Sequence, residues 1–285
     1  MTGRGEELER RSDRDAPPAW PGASPLRTLR LEEFRDGVRR RVEAPVIAET
    51  AVVLNVNGVP WFSFLCTPRD LEALAVGFLF NEGVVSSRTE VVSVSVCARR
   101  ENVDVCLDRT VPPPSTWQRT SGCGGGVTTT GTAGDEGPAP AARPEGDASF
   151  TPSEIGRLAE DLLAYQELYG ASGGVHLSAL GDGERFVATA EDIGRHNTLD
   201  KLAGLCLLEE IGPRRRAIAT TGRVSSEMIQ KARRIGVSLV VSRTSPTARS
   251  VDLAEAWGIT LVGYARRDRF LAYAGAERIA ADARS

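Results

Sequence analysis

Apolar residues in the first third of the chain fall into short alternating runs broken by turn signals. Residues 51–56 (Ala-Val-Val-Leu-Asn-Val) and 59–64 (Val-Pro-Trp-Phe-Ser-Phe) flank Asn57-Gly58, a pair suited to the positive φ values of a type I′ hairpin turn. A helix should follow, with Thr67 as N-cap and Pro68 in the first turn. Leu71, Leu74, Ala75, Phe78 and Leu79 recur at helical spacing until Gly83, where glycine stops the pattern. Two further alternations, Val92/Val94/Val96 against Ser93/Ser95 and Val103/Val105/Leu107 against Asp104/Asp108, predict half-buried strands. Residues 26–110 therefore read as an α+β unit.

Residues 111–150 break this pattern, turning to proline, glycine, threonine and alanine with almost no large apolar residue after Trp117. Such a segment cannot bury enough surface to offset its ordering entropy, so it is expected to be a flexible loop. Cys123 sits on it in Ser121-Gly122-Cys123-Gly124-Gly125-Gly126. Three consecutive glycines would cost a helix roughly 3 kcal/mol relative to alanine, which leaves a thiol free to act as nucleophile or sulfur carrier. Cys66, Cys97, Cys106 and Cys206 all lie in runs that predict regular structure, and read as structural.

Helical periodicity resumes at Thr151-Pro152-Ser153-Glu154, a capping box with proline at its first helical position. Ile155, Leu158, Leu162 and Tyr165 line one face of the helix up to Gly170. A hairpin (175–180 and 186–190) leads into alternating helix and strand: 197–210, 217–220, 226–235, 238–241, 249–257 and 259–264. This order predicts a three-layer α/β unit with a largely parallel sheet over 151–285. Ligands of such sheets sit beyond the carboxyl ends of the strands. The loops expected there, 220–226 (Thr-Thr-Gly-Arg-Val-Ser-Ser) and 242–247 (Ser-Arg-Thr-Ser-Pro-Thr), combine helix starts, hydroxyls and an arginine each. Together these make an anion site, with Arg223 as a candidate contact.

Composition narrows the class further. At 285 residues and 30.5 kDa, the chain has length enough for two cores. Five cysteines without a spacing framework favour a reducing, cytoplasmic setting. Residues 1–25 are charged and proline-rich, lack the apolar stretch of an export signal and are expected to be a disordered tail. The longest apolar run, 73–80, is far short of the ~20 residues that span a bilayer. A formal net charge of −3 argues against general nucleic-acid binding. Local clusters such as Arg266-Arg267 with Arg269 would still suit a phosphorylated small molecule. His176 and His196 are the only two histidines, and with scattered cysteines they offer no recognisable metal spacing. The zinc nucleobase deaminases are excluded, because their H-x-E and P-C-x-x-C elements are missing.

Five stretches carry a resemblance: 68–83 (Pro-Arg-Asp-Leu-Glu-Ala-Leu-Ala-Val-Gly-Phe-Leu-Phe-Asn-Glu-Gly), 174–180 (Gly-Val-His-Leu-Ser-Ala-Leu), 191–201 (Glu-Asp-Ile-Gly-Arg-His-Asn-Thr-Leu-Asp-Lys), 221–228 (Thr-Gly-Arg-Val-Ser-Ser-Glu-Met) and 261–266 (Leu-Val-Gly-Tyr-Ala-Arg). Over about residues 26–280 and in this order, the chain resembles the formate dehydrogenase accessory sulfurtransferases, the FdhD family. The resemblance implies a cytidine-deaminase-like second domain, a homodimer, and a relay in which a cysteine desulfurase loads a loop cysteine as a persulfide. The sulfur would then pass to the molybdenum bis(molybdopterin guanine dinucleotide) cofactor bound for formate dehydrogenase. By position it assigns the persulfide to Cys123 and cofactor binding to Gly263, Tyr264, Ala265, Arg266, Arg267 and Asp268. His176 and His196 are expected to help orient the cofactor or the sulfur donor. Many members carry C-x-x-C on the loop where this chain has Gly126, so one thiol would have to suffice. A non-catalytic molybdenum-cofactor chaperone is the alternative.

Overall fold

A computed structural model describes residues 24–113, 118–119, 127–128, 149–211 and 216–282. Cys123, Gly126 and residues 1–23 of the expected tail lie outside them.

The described residues open with a two-stranded ribbon, β1 (Leu26–Arg35) and β2 (Val38–Ile47), that the pattern of the sequence does not announce. Its turn, Asp36-Gly37, has φ values of 52° and 77°, the same turn chemistry as Asn57-Gly58 at 50° and 78°. Charge hides it. Cross-strand pairs Arg30–Glu43 (3.0 Å) and Arg39–Glu32 (3.0 Å) occupy one face, and Leu29↔Ala44 with Leu31↔Val42 occupy the other.

Strands β3 (Thr50–Val56), β4 (Val59–Cys66), β5 (Val91–Val96) and β6 (Asn102–Leu107) form a sheet in the order β4-β3-β6-β5, with β3 and β6 parallel. Helix α1 (Leu71–Asn81) covers it and is buried almost all round, as a helix apolar on every side must be. A bulge between Val91 and Ser93 turns Val92 outward, where it is 64% exposed, so the expected alternation begins at Val91 instead. Thr67 is not the N-cap of α1. That place belongs to Asp70, in the left-handed region at φ 52° without a side-chain cap.

Two short strands, β7 (Gln118–Arg119) and β8 (Val127–Thr128), pair antiparallel. Helix α2 (Pro152–Asp161) begins at the expected capping box, with Thr151 Oγ1 accepting from Glu154 N at 3.3 Å and Glu154 Oε2 from Thr151 N at 2.8 Å. It does not run on to Gly170. A 3-10 turn over Leu162–Tyr165 intervenes, and a separate helix α3 (Glu167–Ser172) follows, leaving Tyr165 exposed against Phe186 in an edge-to-face pair.

Strands β9 (His176–Gly181), β10 (Phe186–Asp192), β11 (Ala217–Thr220), β12 (Leu239–Ser242), β13 (Thr260–Gly263) and β14 (Leu271–Ala274) make a six-stranded sheet in the order β10-β9-β11-β12-β13-β14. Only β11, β12 and β13 pair in parallel; the other three joins are antiparallel, so the sheet is mixed rather than largely parallel. Helices α4 (Arg195–Leu208), α5 (Ser226–Ile235) and α6 (Ala248–Trp257) pack one face through Leu199, Met228 and Ala254, while α2 packs the other through Ile155 and Leu158. This is the three-layer α/β/α arrangement, within a mixed α/β chain.

The two sheets meet where α1 crosses α4. A Cβ added at Gly77 would lie 1.7 Å from Asp200 O, and one at Gly204 would lie 1.9 Å from Ala73 O. Both positions therefore require glycine. The backbones touch, and no side chain separates the helices.

Candidate functional site

Parallel pairing brings the ends of β11, β12 and β13 level, with Thr220 opposite Ser242. The loops beyond them interlock: Arg243 N donates to Thr220 O (3.0 Å), Tyr264 N to Thr244 O (2.9 Å) and Ala265 N to Ser242 O (3.0 Å). Ser242 Oγ donates to Gly222 O at 2.8 Å, and Val224 bridges to Pro246. The three stretches predicted separately, 220–226, 242–247 and 263–268, thus share one edge. Two helices start on it, α5 capped by Ser225 and α6 by Thr247, so these hydroxyls have a structural role whatever else the edge does.

Arginines converge on this edge. Arg266 is exposed, and one Nη donates to Arg243 O (3.0 Å) and to Ala265 O (2.8 Å). Arg243 donates to Ala159 O at 3.0 Å, and burial, then the neighbouring Arg266 charge, pulls its pKa below the ordinary value. Two guanidinium groups held near each other, with no carboxylate paired to either among the described residues, favour an anion. Arg223 is exposed on the first loop.

The rest of the 263–268 stretch divides. Gly263 is buried, and a Cβ there would lie 2.7 Å from the Tyr273 ring and 3.0 Å from Thr244 O, so it serves close packing. Tyr264 is 50% exposed at φ 51°, a left-handed conformation sparsely used by bulky residues. Ala265 is buried. Arg267 pairs with Glu160 at 2.5 Å, and Asp268 is exposed. Gly156 of α2 abuts the Arg267 carbonyl, where a Cβ would lie 2.0 Å from the oxygen. Helix α2 therefore backs the turn. Nothing in the local pattern around Gly156 signals this, because close backbone approach is a property of the tertiary fold.

His176 begins β9, half-buried beside Gly222, whose missing Cβ makes room for Arg195 (3.0 Å to its Cβ) and His176 (3.6 Å to Nδ1). Burial, then the Arg195 charge, lowers the His176 pKa. His196 is buried, with Nε2 3.0 Å from Glu227 Oε2 and 3.1 Å from Ser225 Oγ. Burial lowers its pKa too, against the Glu227 hydrogen bond that raises it. It is tied to the start of α5.

Residues 191–201 join the two sheets. Asp192 accepts from Thr67 N (3.1 Å), Gly194 N (2.8 Å) and Asn197 Nδ2 (2.8 Å), and pairs with Lys201 at 2.7 Å. The Lys201 ammonium also donates to Thr67 O (3.3 Å) and Glu191 O (3.0 Å). Thr67 completes the join by accepting from Ile193 N at 3.2 Å, which is where the residue expected as a helix cap is used. Glu191 caps the start of α3 through Leu168 N (2.7 Å) and Tyr169 N (3.0 Å). Asp200 meets Asn81 (2.7 Å) and Lys231 (2.5 Å).

The thiols divide as well. Burial, then the Asp192 charge, pushes Cys66 far above the usual thiol range, and burial pushes Cys206 up to about 11. Burial acts upward on Cys97 also, yet backbone hydrogen bonds led by Glu101 N (3.3 Å) leave it below the ordinary value. Cys106 is exposed on β6 rather than buried. Among the described residues, no group of histidine, cysteine, aspartate and glutamate is arranged to hold a metal ion, and no helix is long and apolar enough to cross a membrane.

A model of the FdhD/NarQ family matches residues 47–280. The chain is 32% identical over 262 residues to the sulfur carrier protein FdhD of Bacillus licheniformis, covering 88% of this chain and 95% of that protein. It is 32% identical over 258 residues to the sulfur carrier protein FdhD of Bacillus subtilis, covering 86% and 94%. The crystal structure of a putative formate dehydrogenase accessory protein from Desulfotalea psychrophila superposes with a TM-score of 0.73 at 28% identity, covering 90% of this chain and all of that one.

Proposed function

The chain belongs to the FdhD/NarQ family, and from that premise we propose that it is a sulfurtransferase, a cytoplasmic sulfur carrier serving formate dehydrogenase. Sulfur arrives as the persulfide of a cysteine desulfurase. The Cys123 thiolate attacks the outer sulfur, the Cys123 Sγ–S bond forms as the donor S–S bond breaks, and the donor cysteine leaves as its thiolate. The electron pair of the broken bond departs with that thiolate, so loading needs no oxidant. The client, the molybdenum bis(molybdopterin guanine dinucleotide) cofactor, then takes the outer sulfur with its own electron pair as the Cys123 Sγ–S bond breaks, and Cys123 is released as its thiolate. Cys123 meets the donor and the client in turn, and the protein works as a homodimer.

The observation that carries the reading is the carboxyl edge, where Arg266 is exposed beside Arg243 and two helix starts point the same way. That donor set fits the client's pyrophosphates. Two of the other thiols are set aside by their surroundings: Cys66 and Cys206 are held protonated, and a protonated thiol is a poor nucleophile. Cys97, held below the ordinary value, and the exposed Cys106 are the competitors that the test must separate from Cys123. A chaperone that binds the cofactor without carrying sulfur would use the same edge, so the test lies at the thiol. The full-length chain is incubated with a cysteine desulfurase and cysteine, and its intact mass and peptide map are measured. One added sulfur on Cys123, absent in Cys123→Ala, is expected. No adduct, or one that maps to Cys97 or Cys106, would overturn the assignment.

A further inference from the structure

A cavity of about 400 Å³ opens on the opposite edge of the six-stranded sheet, at the amino ends of its parallel strands. Phe80 of α1 and Arg88 bring one wall from the four-stranded sheet's side; Leu207, Ile211 and Ile235 bring the other. Its size falls in the range of small-molecule sites, about 300–1,000 Å³, and such sites favour seams of this kind, mainly apolar with a few polar groups. Arg216 staples the rim by donating to Ile235 O (2.7 Å) and Ile211 O. Arg88 gives one nitrogen to Val91 O at 2.6 Å, and its guanidinium has further donors. Glu210, at the rim, holds a left-handed φ of 52°, a strain that residues other than glycine adopt seldom. Among the described residues of the lining, two arginines stand against one glutamate.

The carboxyl edge and this cavity differ in kind. The first is polar and suits phosphates; the second is mainly apolar, with Arg88 and Arg216 among its described residues, and suits an anion that carries an apolar body. We propose that the cavity is a second ligand site, for a small organic monoanion with an apolar body, whose acid group meets Arg88 and whose body lies over Cys206. Burial keeps the Cys206 thiol neutral, its pKa pushed up to about 11, so the thiol adds no charge against the ligand. The assignment stands apart from the sulfur-carrier reading, because no residue of the carboxyl edge lines the cavity.

Decanoate is the probe, titrated calorimetrically into the full-length chain. Saturable binding at one site per chain is expected, weakened about tenfold in Arg88→Ala through loss of a charge-assisted contact. A second readout covers the case in which that variant does not fold. In the wild-type chain, decanoate should slow N-ethylmaleimide labelling of Cys206, read by peptide mass mapping, and leave the exposed Cys106 unaffected. Absence of saturable heat, an unchanged affinity in a folded Arg88→Ala chain, or Cys206 labelling that decanoate does not slow more than that of Cys106 would each overturn the proposal.

Discussion

Residues 191–201 and residues 263–268 both concentrate charge, and the folded chain uses the two stretches in opposite ways. In the first, Lys201 is 0% exposed and Asp192 0%, and their charges meet each other, Thr67 and neighbouring backbone. In the second, Arg266, Arg267 and Asp268 are exposed, and among the described residues Arg266 donates to carbonyl oxygens. Density of charge along a sequence is thus a poor guide to where a ligand binds. What separates the two is whether the chain supplies the partners: Asp192 and Lys201 satisfy one another across the join between the sheets, while Arg266 and Arg243 are like charges whose natural counterpart is an anion.

The contrast can be broken from the buried side first. Asp192→Ala leaves the Lys201 charge fully buried without its carboxylate, and a loss of about 3–5 kcal/mol in urea unfolding is expected, as for other broken buried pairs. An effect no larger than that of a surface substitution would show that the join does not depend on this pair. Gly77→Ala attacks the same join through sterics. Its added Cβ lies 1.7 Å from Asp200 O, so α1 and α4 must part, at an expected cost of about 1–3 kcal/mol. Stabilisation, as helix propensity alone would give, would contradict the close crossing.

A smaller response should follow pH. Burial lowers the pKa of both His176 and His196 from 6.5, so below that pH the unfolded chain binds more protons than the folded one. Stability is present above pH 6.5 and falls as pH drops through the folded values. The slope of unfolding free energy against pH below 6.5 should shrink in His196→Gln. An identical slope would mean that His196 does not titrate between the two states. At the exposed stretch the smallest change in stability is expected: Arg266→Ala should stay within about 0.5 kcal/mol of wild type by thermal unfolding.

Much of this architecture is legible in the pattern of apolar residues. Asn57-Gly58, the Thr151 capping box and the helix-strand alternation after residue 197 each carry their own local chemistry, and the loops beyond β11 and β12 follow from that order. What stays hidden depends on distant partners. The ribbon of β1 and β2 is masked by its arginines and glutamates, although Asp36-Gly37 marks the turn. Thr67 reads as a cap because the sequence cannot show Asp192 and Lys201 arriving from 125 and 134 residues away. Gly77, Gly156, Gly204 and Gly222 look like ordinary helix or loop glycines, yet each permits a close contact with a remote segment. At the site itself, the arginines of the edge are legible as a cluster, whereas the sharing of Arg243 and Arg266 is not. Cys123 rests on its glycine-rich context and on the family resemblance alone.

The most direct test of the contrast is the affinity for guanosine diphosphate, measured by calorimetry on wild type and Arg266→Ala with the thermal midpoint of each recorded alongside. If the exposed edge meets the client's phosphates, the variant loses about tenfold or more in affinity with its midpoint unchanged. Equal affinity in two equally stable chains would contradict the account and move the client's site away from residues 263–268.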